Sequence, residues 1–282
     1  MEGQVWCRVE ELLQLVKGRP KRCRYSDREV LRVILWAVLH DRPMNWACEP
    51  LHWPTTLRPA LLPTASTISR RWNRRELRGQ AEALHQESLR RLGGVGRYAA
   101  IGGRPLVVGG CSKDPDARCG RSAGGMGKGY KMHAMVDKRH VILSCAIRPL
   151  NVAEPTVAQV LLSNAPAAVT RIIGDGLYDS MQLHRVAGAT GRRLYTPVRQ
   201  NRVGRRQQSR RLRLLRLSQH PVGARLLKSR DEIERTFGQA STLSFGFKGL
   251  PAWSRRMQRV FRWMWGKNLL YNVWLMNKNT AA

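Results

Sequence analysis

The sequence predicts an α/β fold: a mixed sheet preceded by a helical region and followed by further helices. Three observations lead there. Apolar residues recur at helical spacing through most of residues 1–90 and again from 229 to 277. Between these stretches, after a glycine-rich break at 93–96, short runs of β-type character separated by turn residues take over. From 154 onward helical and strand-like runs then alternate.

Taken in order, Ser26 and Asp27 cap a helix over 28–40, where Val30, Ile34, Leu35 and Val38 share one face. Pro54, Pro59 and Pro63 break the following segment into turns. The next helix opens on capping hydroxyls (TASTIS) and carries Ser69, Arg70, Arg71, Arg74 and Arg75. A hydroxyl-rich first turn with arginines behind it resembles the reading helix of a helix-turn-helix, with Ser69, Arg70 and Arg71 as DNA contacts. A solvated basic helix has the same pattern. Residues 1–92 are thus read as a helical, helix-turn-helix-like region. Strands are predicted over 104–108, 130–136, 141–147, 169–174 and 193–198, with helices over 154–162 and 180–189. In the second of these helices Asp179 is read as the cap. The arginine-rich stretch 201–216 reads as a loop or weak helix ordered by an acidic partner, and helices over 229–239 and 254–277 close the chain. Trp253, Trp263, Trp265 and Trp274 interleave with Val, Leu and Met, so they are read as core.

Lys and Arg number 50 against 19 Asp and Glu, a formal charge of +31 over 282 residues. Such a field attracts polyanions, and nucleic acid is the partner it points to. The six cysteines form no C-x-x-C pair, which argues against structural zinc and fits free thiols in a reducing compartment. Histidines, His133 and His140 among them, are scattered and read as core or surface residues. Glu2, Glu10 and Glu11 are unlike a secretory signal, and Arg262 and Lys267 interrupt the most apolar stretch, so no membrane span is expected.

Two acidic positions stand out. Asp175 ends a predicted strand (TRIIGD), where the carboxyl edge of an open sheet opens into a crevice. An Asp before Gly is equally a common turn former. Glu234 lies beside the apolar stripe Ile233, Phe237 and Ala240, one turn from Arg230, with which it can also form an ordinary surface ion pair.

In order and spacing these positions resemble the DDE transposases of insertion sequences, in the IS4/IS5-like groupings. Asp175-Gly-Leu-Tyr178-Asp179 is similar to the family's D-x-x-Y-D element, and Arg230-Asp-Glu-Ile-Glu234-Arg235-Thr-Phe237 to its R-x-x-x-E-R-x-F element. The run from Val108 through Gly120, and then Met126 to His133, is similar to the family's early strands. The resemblance spans 98–276 and implies a ribonuclease H-like catalytic domain. It implies metal-dependent cleavage and strand transfer on double-stranded DNA, both terminal inverted repeats and target. A homodimer on that DNA and a bacterial, cytoplasmic, nucleoid-associated setting are implied too. It also implies two Mg²⁺ (or Mn²⁺) ions held by three carboxylates, with Asp175 and Glu234 as two of them. Arg230, Arg235, Lys128, Lys131 and Tyr178 are then expected on the DNA.

The first carboxylate is missing. In Ala100-Ile101-Gly102-Gly103-Arg104-Pro105-Leu106 the family's first Asp position holds Gly102. Asp114, Asp116 and Asp137 fall outside the motif, so restoring the triad means either recruiting a loop aspartate or substituting Gly102→Asp. The resemblance therefore implies a transposase with impaired cleavage. The alternative is a catalytically inactive relative that only binds DNA, as a repressor or a decaying remnant.

Overall fold

The computed structural model describes residues 1–18, 23–198 and 209–280. In chain order they form α1 (Glu2–Leu13), α2 (Asp27–Leu39), α3 (Met44–Ala47), α4 (Ala65–Trp72), α5 (Arg75–Arg91), β1 (Tyr98–Val107), β2 (Arg118–Ser122), β3 (Gly125–Val136) and β4 (Ile142–Pro149). There follow α6 (Glu154–Ser163), β5 (Arg171–Ile173), α7 (Met181–Ala189), β6 (Arg193–Tyr195), α8 (Ser209–Gln219), α9 (Pro221–Lys228), α10 (Asp231–Thr242) and α11 (Met257–Thr280). The architecture is mixed α/β. The elements fall into two units, one of residues 1–94 with 240–282 and one of 95–239.

In the first unit α2 is buried nearly all round, from Val30 to Leu39, as expected of a helix packed on several sides. Its start is a capping box: Ser26 Oγ accepts from the Glu29 amide, and the Glu29 carboxylate accepts from the Ser26 amide. Trp36 stacks on Trp53 at 4.5 Å between centroids and meets Trp6 edge-on at 4.7 Å. α11 is also largely buried, with Lys267 paired to Asp41 at 2.6 Å. No described helix is long and apolar enough to cross a membrane.

The helix read through Arg74 and Arg75 ends sooner. Asn73 is the C-cap of α4, and Arg74 instead stands at the N-cap of α5.

The second unit is built on one mixed sheet in the order β2-β3-β1-β5-β6, with β4 also on β3. β3 is long enough to carry two partners on one edge: β2 against residues 125–129 and β4 against 130–136. Its other edge pairs antiparallel with β1, and β1, β5 and β6 run parallel. β1 begins at Tyr98, six residues before the expected 104. β2 was not expected, and the helix foreseen over 229–239 is preceded by a separate helix, α9. Residues 199–208 of the arginine-rich stretch lie outside the described residues; those from 209 onward begin α8.

Candidate functional site

Asp175 follows β5 with extended backbone, and its carboxylate accepts from the Leu177 amide at 2.6 Å. The parallel register of β1 and β5 pairs Ala100 with Ile173. One residue on, a β-carbon at Gly174 would lie 3.1 Å from Ile101 Cγ1, so the two chains remain side by side. β5 ends at Ile173, and Asp175 opens the turn that follows it.

The space in front of Gly102 is filled. A β-carbon there would lie 2.9 Å from Cγ2 and 3.0 Å from Cγ1 of Ile233, on the first turn of α10. Glycine at 102 thus lets Ile233 pack directly on the strand. Ile233, Phe237 and Ala240 are all buried, as their spacing suggests, whereas the adjoining Glu234 is exposed.

Asp175 opens into a cavity of about 480 Å³ whose walls include Gly103, Lys131, Glu154 and Tyr178. Burial pushes the Asp175 carboxyl above the ordinary carboxylate range; the Leu177 amide opposes that shift, Glu154 adds to it and Arg230 opposes it. Glu154, at the start of α6, accepts from Lys131 Nζ at 2.6 Å, with both side chains mostly buried. Tyr178 is wholly buried; its hydroxyl has no hydrogen-bond partner, and burial with the nearby Asp175 and Glu154 charges raises its pKa. His133 is buried beside Gly103, its two ring nitrogens unpartnered, and burial lowers its pKa to about 4. Glu154 and His133 were not singled out as site residues, because neither belongs to a motif with chemical spacing. Only the fold brings them to Asp175's side of the sheet.

The remaining expected residues are spread more widely. Arg230 meets Asp231 at 3.6 Å, and Arg235 meets Glu232 at 3.1 Å. Lys128 donates to the Ser112 carbonyl at 2.6 Å. Asp114 is buried and accepts from the Tyr130 hydroxyl at 2.7 Å and from the Asp116 amide, so this loop is tied down rather than free to supply a carboxylate. Asp137 is held by Arg139. Asp179 is buried 3.9 Å from His184, and the cap of α7 is instead Ser180.

In the other unit Ser69 and Arg70 line a second cavity. Arg71 is buried and committed to the Asp27 carboxylate and the Tyr25 carbonyl. Trp263 and Trp265 are core residues, but Trp253 is 40 % exposed, against the core reading.

Residues 107–273 match a family model described as the transposase DDE domain, a span that covers Asp175 and Glu234 and more than half of the chain. No curated protein matches, and no solved structure does. The family generally uses divalent metal ions. The residues present do not fit a pair of them: Gly102, which the resemblance aligns with the first carboxylate, carries no side chain, and Ile233 fills the space one would take. Among the described residues no three His, Cys, Asp or Glu side chains converge as a metal site.

Proposed function

The chain belongs to the transposase DDE-domain family, and from that premise we propose that it is an insertion-sequence transposase that binds its element's terminal repeats but is impaired in cutting them. DNA is its substrate by family, and the +31 charge supports a tight, strongly salt-dependent grip on the phosphate backbone. The helical region 1–92 reads the terminal repeats, through Ser69 and Arg70 on a helix that Arg71 anchors to α2. Residues 98–276 form the catalytic domain. A ribonuclease H-like reading of it is supported by an antiparallel β4-β3-β1 ribbon continued by parallel β5 and β6. Two protomers act together on double-stranded DNA, because transposition joins two ends.

Asp175 and Glu234 are the surviving acidic positions of the triad, where Mg²⁺ or Mn²⁺ would be held in an intact relative. Arg230, Arg235, Lys128 and Lys131 line the DNA path, and Tyr178 sits beneath Asp175. The single observation that carries the impaired reading is Ile233 lying against Gly102, in the space a side chain there would need. It also favours the second reading, a protein that occupies DNA ends without cutting them.

The test is binding and cleavage of a duplex carrying the element's own ends, with Mg²⁺ or Mn²⁺ present. Affinity that falls steeply with salt, together with cleavage near background, is the expected result. Cleavage well above background and dependent on the added Mg²⁺ or Mn²⁺ would overturn the impaired reading. Absence of duplex binding would overturn both readings.

A further inference from the structure

The helical unit holds a cavity of about 530 Å³ that the catalytic reading does not use. One wall is α4, contributing Ser66, Ser69 and Arg70; the other is Ser254 with Arg259 and Arg262 at the start of α11. No acidic residue lines it.

Arg262 is 6 % exposed, yet no carboxylate among the described residues pairs with it. Its one hydrogen bond there is to Ser69 Oγ, at a long 3.4 Å. Burial, with Arg259 adding to it, lowers its pKa to about 10. A buried guanidinium without a counter-charge is costly, and buried cations are ordinarily paired. Ser254 is an independent sign of a missing partner: it is 1 % exposed, its hydroxyl has no hydrogen-bond partner, and it faces the same cavity. The positive end of α4 adds to the field, with Thr64 capping it and Ser66 in its first turn. An anion offering several oxygens would satisfy all of these groups at once. A phosphate group does so, because guanidinium binds it through two parallel hydrogen bonds and a helix N-terminus favours its charge.

We propose that this cavity is a phosphate-binding subsite, with Arg262 as its floor, Arg70 and Arg259 at its mouth, and Ser69 and Ser254 as hydroxyl donors, and that the phosphate it takes belongs to the DNA backbone. The proposal rests on the DNA-binding reading of the helical region. The DNA backbone is favoured over a free anion because Ser69 and Arg70 belong to the helix read as entering DNA, and because Arg70 and Arg259 are exposed. The exposed face of Trp253 at the rim would rest on the neighbouring sugar.

The experiment measures duplex affinity by fluorescence anisotropy across a KCl series for the full chain, Arg262→Met and Arg259→Gln, with melting temperatures taken with and without inorganic phosphate. Each variant is expected to bind about tenfold more weakly at low salt and to lose about one unit from the slope of log K against log salt. Arg262→Met is expected to melt no lower than the parent, because it removes an unpaired buried charge. Parent-like affinity and slope in a folded Arg262→Met protein would refute the subsite. If that variant does not fold, unchanged binding by Arg259→Gln, an exposed position, would refute it. Phosphate that raises the melting temperature of the parent but not of Arg262→Met, with duplex binding alike in both, would make the occupant a free anion and overturn the DNA assignment. A parent that binds no duplex would sink the DNA-binding reading itself, whereas a parent that binds while its variants bind equally well would sink the subsite alone.

Discussion

Ile233 Cγ2 lies 2.9 Å from where a β-carbon at Gly102 would stand, so a residue of α10 fills the side-chain space of β1 at that position. On the proposed reading, adding a carboxylate at 102 is therefore not enough by itself, because a residue of the neighbouring helix already fills its place.

That contact has an energetic signature. Gly102→Ala forces a methyl group against a β-branched side chain and should destabilise the protein by about 1–3 kcal/mol. In an Ile233→Ala background the same change should cost much less, giving a coupling of about 1 kcal/mol or more in a double-mutant cycle. Urea denaturation measures it. Additive effects would mean that the two residues do not meet.

Arg71 should act on stability and only indirectly on DNA. It and Asp27 are both about 95 % buried, and Arg71→Ala strands the Asp27 carboxylate, a loss of about 3–5 kcal/mol. Arg70→Ala, at an exposed position, should leave the denaturation midpoint within about 0.5 kcal/mol of the parent and weaken duplex binding. Reversal of these two patterns would contradict the roles assigned within α4.

His133 should make the fold acid-sensitive. Its folded pKa of about 4 lies below the ordinary 6.5, with burial as the chief cause. The unfolded chain thus binds the proton more readily. Stability from this group is full above about pH 6.5 and falls as pH drops toward 4, by about 3 kcal/mol in all. His133→Leu, which also removes two unpartnered buried nitrogens, should flatten the stability profile between pH 6.5 and 4. An unchanged slope in that variant would show that other groups govern it.

Much of this was legible in the chain, and the reasons are local. The Ser26 cap, the apolar face of α2 and the placement of Asp175 just past a strand all follow from residues close together in sequence. The start of β1 was not legible, because Ala99, Ala100, Gly102 and Gly103 have little strand propensity and are held there by β3 and β5. β2 was hidden for a similar reason: Arg118, Gly120 and Arg121 show no apolar alternation. Within the site, the absence of an acid at 102 was plain, but the contact with Ile233, far away in sequence, comes only from the fold. The same holds for Glu154 beside Asp175, and for Arg71 being turned inward while Arg70 stays exposed.

The most direct test of the account is cleavage of an end-carrying duplex by four proteins: the parent, Gly102→Asp, Ile233→Ala and the double variant. Divalent-metal-dependent cleavage should appear in the Gly102→Asp/Ile233→Ala protein, which both restores the carboxylate and clears its space. Gly102→Asp alone should be destabilised and cut little. A parent that cuts as fast as the double variant, or a folded double variant that cuts no faster than the parent, would contradict the placement of Gly102 at the vacant carboxylate position.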